Sequence, residues 1–273
     1  MGGERLIDDP LSVITLVPLA AGLILLVLPQ ILPGDSADGL RRVSRNISMG
    51  VALAIATITT MLFVGEIGNI DWTNITQGGY VLENEAVSLI PSIGVSWKVG
   101  ADALSFPMIW LTAILIPVSM LVEWDAKRGH LFHPLLLIME SALIGVFVAL
   151  DLFVFYVFWE LTLIPMFLLI LVWGGEDRRY AAMKFFIYTF TASVFMLVGI
   201  LVMYFHTDPI SGLGDLSGHH FDLVAMTAQE NLIPSEGLRH FVWFLLLIGF
   251  ATKMPSVPAV SYTHLTLPTS DLV

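Results

Sequence analysis

The chain has 273 residues, of which 56% are apolar and only 13% charged, with no cysteine and a formal net charge of −11. One soluble core of this length would not bury so much apolar surface, and a mean hydropathy of +0.84 places the chain in a membrane. Without cysteine there is no disulfide framework, thiolate metal site or cysteine nucleophile, and the net acidity argues against nucleic acid as a partner.

In chain order, Glu4, Arg5, Asp8 and Asp9 precede an apolar run from Leu11 to Leu32. A secretory leader has a basic start and a shorter apolar core, so this run is read as a retained span. At about 20 apolar residues per crossing, further spans are expected at Ile47 to Val64, Leu104 to Val122, Leu131 to Leu150, Leu152 to Trp173, Phe185 to Phe205 and Phe241 to Pro258. The run from Leu131 to Trp173 is too long for one crossing, and Asp151 within it marks a tight turn between antiparallel helices. Arg41, Arg42, Arg45, Lys127, Arg128, Arg178, Arg179 and Lys184 then fall on one side of the membrane, whereas Arg5, Lys98 and Arg239 fall on the other. Short basic loops stay in the cytoplasm, so the N-terminus is expected outside. The acidic residues, among them Glu66, Asp102, Asp222 and Glu236, collect mostly in the outer segments.

Within the outer segment from Gly65 to Ala103, Ile93, Val95, Trp97 and Val99 alternate with small or polar residues in SIGVSWKVG. Period two predicts a strand, part of a short β-hairpin on the outer face. The later outer segment carries His206, His219 and His220, expected to be solvated, because no second ligand sits at a spacing that would hold a metal.

Three ionisable residues fall inside the predicted spans. Glu160 lies eight residues after Leu152, about 12 Å along a helix and near the middle of a hydrocarbon layer about 30 Å thick. A charge there costs at least ~3 kcal/mol, so the carboxylate needs protein or water around it. Pro165 removes a backbone donor and loosens the helix around Leu161. Lys253 precedes Pro255 and Pro258, and an ionisable residue beside a broken helix is how transporters build ion sites; the alternative is a lysine that snorkels to the surface. Glu140, nine residues into its span, is either a second proton station or a hydrogen bonder to Ser141 or a neighbouring helix. Tyr188, Thr189, Thr191 and Ser193 line a wet path or bond back to their own helix, and back-bonding is the expectation. Together these groups form a set of proton stations coupled through a low dielectric. No phosphate loop, haem-type histidine pair or nucleophilic serine motif is visible.

The stretches GVFVALDLFVFYVFWELTLIPMFLLILVWGG (Gly145 to Gly175), KFFIYTFTASVFML (Lys184 to Leu197) and FLLLIGFATKMP (Phe244 to Pro255) carry a resemblance. They resemble the antiporter-like proton-pumping subunits of respiratory complex I, the family that includes chain M of bacterial NADH-quinone oxidoreductase and mitochondrial NADH dehydrogenase subunit 4. The resemblance implies an all-α polytopic bundle of about seven transmembrane helices, the N-terminal half of an antiporter-like fold. It also implies that the glutamate of the FWE motif and the lysine of the GFA-x-K motif, here Glu160 and Lys253, pair to gate proton transfer. No cofactor or metal is implied for this chain. NADH, FMN, iron-sulfur clusters and quinone would lie in other subunits, and the partners would be neighbouring antiporter-like subunits in a bacterial inner membrane. A cation/proton antiporter of the Mrp type, a membrane-bound hydrogenase subunit and a non-transporting bundle are the alternatives. Residues 1–255 are expected to form the bundle. The tail 256–273, SVPAVSYTHLTLPTSDLV, departs from the pattern and is expected to reflect truncation or foreign sequence.

Overall fold

The computed structural model describes residues 9–31, 37–68, 82–84, 86–124, 129–207, 218–229 and 232–253. The tail 256–273, the prolines at 255 and 258 and the basic pair at 127 and 128 lie outside the described residues. Nine helices are described: α1 (Pro10–Ile31), α2 (Ala37–Glu66), α3 (Ser105–Val122), α4 (Gly129–Val148), α5 (Leu152–Leu161), α6 (Leu163–Trp173), α7 (Arg178–Tyr204), α8 (Leu223–Ala228) and α9 (Glu236–Lys253). Among the described residues four short strands precede α3: β1 (Leu82–Glu83), β2 (Val87–Ile90), β3 (Val95–Trp97) and β4 (Gly100–Ala101).

Among the described residues, six helical stretches are long and apolar enough to cross a membrane: α1, α2, α3, α4, the consecutive pair α5 and α6, and α7. The chain is therefore a multi-pass membrane protein. The seventh expected span falls on α9, whose 18 residues include Glu236, Arg239 and Lys253. Those three charges keep α9 from qualifying on its described residues.

The chain divides into two compact units, one of residues 1–87 and 97–162, the other of residues 88–96 and 163–273. In the first, α4 is the central helix and packs against α1, α2, α3 and α5. Its partner α1 comes so close that a Cβ at Gly22 would lie 2.7 Å from Ile138 Cγ1 and 2.9 Å from the Pro134 carbonyl oxygen. Lipid gives no hydrophobic drive between helices, so close backbone approach of this kind is what joins them. Ser141 Oγ adds a buried hydrogen bond to the Thr15 carbonyl (2.6 Å).

Several expected boundaries shift. Helix α2 begins at Ala37 rather than near Ile47, and α7 at Arg178 rather than Phe185, so Arg42, Arg45, Arg178, Arg179 and Lys184 sit on helical turns instead of in loops. Long basic side chains favour helix and keep their charged ends at the polar edge, which lets the helix outrun its apolar run.

The predicted strand is present in a shorter form, as a hairpin of β2 and β3. Ile93 belongs to a 3-10 turn, Pro91–Ile93, and Gly94 takes the left-handed backbone (φ 69°) that turns the chain into β3. Val95, Trp97 and Val99 are buried as the alternation requires, but Ser96 is buried too. The adjoining segment is covered on both sides because it is stitched into the first unit. There β4 pairs antiparallel with β1, Val99 bridges Ala149, and the Leu150 N–H donates to the Lys98 carbonyl (2.9 Å).

In the second unit α7 packs on α6 and on α9. Thr189 Oγ1 bonds to the Phe185 carbonyl (2.7 Å) and Ser193 Oγ to the Phe190 carbonyl (2.8 Å), so both hydroxyls bond back to their own helix as expected. One of the three histidines differs from expectation: His220 is buried, at 1% exposure, while His206 and His219 are partly exposed. Phe221 stacks on Tyr204 with ring centroids 4.3 Å apart, and the His220 N–H donates to Thr207 Oγ1 (3.2 Å). Aromatic burial folds the segment after 217 back onto the end of α7 and takes His220 out of solvent.

Candidate proton-transfer site

Glu160 sits in the last turn of α5. Asp151 starts this helix: fully buried, it accepts from the Phe153 N–H (2.9 Å) and the Val154 N–H (3.1 Å) through one oxygen. Those bonds satisfy helix-start donors that lipid would leave bare. Asp151→Ala is expected to lower stability by about 1–2 kcal/mol, whereas Asp151→Asn, which keeps an accepting oxygen, should retain most of it; thermal unfolding in lipid nanodiscs distinguishes the two.

One turn before its end α5 is clamped by Phe158. A Cβ at Gly145 of α4 would lie 2.3 Å from that ring, so only glycine lets α4 and α5 approach this closely. Trp97 meets the same ring edge-on at 6.0 Å, and its Nε1–H donates to Ser12 Oγ on α1 (2.7 Å). Thus β3 and α1 together hold the turn that carries Glu160.

The helix breaks directly after that turn. Pro165 supplies no N–H to the Leu161 carbonyl, and α5 ends at Leu161 before α6 resumes at Leu163. Thr162 between them bonds through its N–H to the Phe158 carbonyl (3.2 Å) and through Oγ1 to the Trp159 carbonyl (2.7 Å). Glu160 is half-buried, and its Oε1 is buried with no hydrogen-bond partner among the described residues.

Glu140, on α4, is fully buried, and neither of its oxygens has a hydrogen-bond partner among the described residues. Ser141, a candidate partner for it in the sequence, bonds instead to the α1 backbone. Lys253 is the last residue of α9 and half-buried. Its helix is set by Gly249, where a Cβ would lie 2.5 Å from Met196 Cβ on α7, and by Gly199 of α7, which faces Leu245 and Leu246. Next to Lys253, Thr252 lines a cleft of about 610 Å³ between α7 and α9, together with Lys184, Tyr188, Thr191 and Ile248. Glu140 and Glu160 thus belong to the first unit and Lys253 to the second.

Sequence reading missed His133. It is fully buried in the second turn of α4, and its only sequence signal is a polar ring inside an apolar run. Among the described residues no cluster of three or more histidine, aspartate or glutamate side chains is placed to hold a metal ion.

Apolar spans, with Glu140 enclosed in one and Glu160 half-buried beside a helix break, define a multi-pass helical membrane protein. Residues 149–264 match the family model described as NADH:quinone oxidoreductase/Mrp antiporter, TM. The match includes Glu160 and Lys253 but not Glu140. The chain is 41% identical over 180 residues to F(420)H(2) dehydrogenase subunit M of Methanosarcina mazei, an alignment covering 65% of this chain and 35% of that protein. It is 34% identical over 251 residues to NAD(P)H-quinone oxidoreductase chain 4-2 of Synechocystis sp., covering 91% of this chain and 40% of that one. Among solved structures it is similar to a chain of respiratory complex I from Thermus thermophilus, with a TM-score of 0.72 and 27% identity over 92% of this chain and 45% of that chain. The chain therefore spans less than half the length of these relatives.

Proposed function

We propose that the chain is a membrane subunit of an NADH-quinone oxidoreductase and takes part in moving protons across the membrane as electrons pass from NADH to quinone. The observation that carries this reading is Glu160: its Oε1 is buried without a hydrogen-bond partner among the described residues, beside a proline-made helix break, within the family-matched stretch. A carboxylate so placed is costly unless it exchanges a proton or meets an opposite charge. In this reading Lys253 is that charge, and making or breaking the pair passes a proton on. Glu140 serves as a further station.

The chain carries out no redox chemistry; NADH, FMN, iron-sulfur clusters and quinone are handled by other subunits. Neighbouring antiporter-like subunits and the lipid bilayer are its partners, and residues 1–255 act as the membrane bundle. The deciding experiment is proton pumping by the assembled complex with Glu160 and Lys253 replaced one at a time. The family description also covers Mrp antiporters, and the two readings separate by driving force: NADH oxidation in the first, an imposed cation gradient in the second.

The basic helix ends support an orientation with the N-terminus outside, and the resemblance to bacterial NADH-quinone oxidoreductase chain M supports a bacterial inner-membrane location. Because the chain lacks cysteine, single cysteines report sidedness cleanly. Gly129→Cys should be shielded from an impermeant thiol reagent in intact cells, while Asn74→Cys and Ser217→Cys should react. Labelling at 129 from outside would invert the topology.

A further inference from the structure

Buried polar groups of α2 and α4 fall along one part of the first unit. Near the N-terminal ends of the two helices, Ser44 Oγ of α2 donates to the His130 carbonyl of α4 (3.4 Å), and Arg45 stacks over Trp124 at 4.3 Å. One turn further along, α2 carries Ser48 and α4 carries His133, both fully buried. Ser48 Oγ has no hydrogen-bond partner among the described residues. His133 lies edge-on to Trp124, with ring centroids 6.4 Å apart. Two turns beyond His133, about 10 Å along the axis and on the same stripe of α4, lies the fully buried Glu140, both oxygens without a hydrogen-bond partner among the described residues.

A carboxyl group in such surroundings needs a proton or a hydrogen-bond donor on its oxygens. We propose that Glu140 is a proton-exchange site of its own, reached through His133 and Ser48 from the end of the unit marked by Arg45 and Trp124. Water bridges the two turns of helix between the groups. In the exchange, the O–H bond of the Glu140 carboxylic acid breaks and an N–H bond forms on the unprotonated nitrogen of His133, through the bridging water. The reverse transfer restores both groups, so nothing is oxidised or reduced. His133 is the positioning and relay residue, and Ser48 offers a hydroxyl that both donates and accepts. The part this site plays in transport rests on the proton-translocating reading, but its existence does not.

The test reads Glu140 directly, by infrared hydrogen/deuterium exchange on the assembled protein in native membranes. One buried carboxylic-acid carbonyl band should be present in the wild type and in Glu160→Gln and absent in Glu140→Gln, and it should shift on transfer to D2O. His133→Phe should keep the band but slow its exchange by roughly 100-fold. His133→Gln, which keeps a polar group, serves as the second variant if the phenylalanine disturbs packing, and it should also slow exchange. The proposal is overturned if Glu140→Gln removes no band, if the band does not exchange, or if both His133 variants exchange at the wild-type rate. Loss of pumping plays no part in these readouts, so failure of the translocation reading and failure of this site are seen separately.

Discussion

Glu160→Gln and Lys253→Met, each introduced into the assembled complex, are expected to lower proton pumping by about tenfold or more. Either charge alone costs at least ~3 kcal/mol to hold in hydrocarbon, and in the proposed mechanism each is balanced by the other or by a proton. Glutamine keeps the shape and hydrogen-bonding capacity of Glu160 but cannot release a proton. The break at Thr162 and the clamp on Phe158 should be unaffected, which makes the variant a test of chemistry rather than of folding. The double variant should pump no less than the worse single one, as residues that act as a unit do. Pumping coupled to NADH oxidation in inverted vesicles, compared at equal amounts of assembled complex, measures all three. Near-normal pumping by Glu160→Gln would leave Glu160 as a residue of helix packing.

Gly249→Ala should destabilise the second unit by about 1–3 kcal/mol, the usual effect of forcing one extra carbon into a filled interface. The added Cβ would sit 2.5 Å from Met196 Cβ, and a Cβ cannot swing aside as a side-chain tip can. Relief must come from moving α9 away from α7, which would also displace Lys253 one turn on. Gly249→Ala should therefore lower both thermal stability and pumping. Combining it with Met196→Gly, which removes the opposing atoms, should recover part of the stability despite the helix penalty of a new glycine. Wild-type melting of Gly249→Ala alone would show that the two helices do not approach so closely.

Much of the fold is legible in the sequence because a bilayer imposes a simple rule. Backbone polar groups must be satisfied within each segment, so long apolar runs become helices whatever their neighbours are. The division at Asp151, the disruption near Leu161 caused by Pro165 and the back-bonding hydroxyls of α7 follow from local chemistry and hold in the structure. Strand β3 follows from its period of two, but Ser96 does not face out, since strand alternation is readable only when one face stays open. Helix ends were less legible: arginine and lysine extend α2 and α7 past their apolar runs, because hydropathy measures lipid contact and not helix continuity.

Other features depend on contacts between segments far apart in the chain. Hydropathy identifies Glu140 and Glu160 as anomalies inside spans, but only packing decides which of their oxygens are buried without hydrogen-bond partners among the described residues. His133 and His220 look like ordinary polar residues, and they are buried because α4 lies at the centre of its unit and because Phe221 stacks on Tyr204. The glycines at 145 and 249 carry no special backbone angle that a turn motif would announce; their role comes from Phe158 and Met196 on neighbouring helices. Hydropathy and local hydrogen-bonding rules act within a segment, so the sequence alone determined the spans and the residues out of place in them. Burial and close approach act between segments, so the tertiary structure alone decided which of those residues are enclosed and what holds them there.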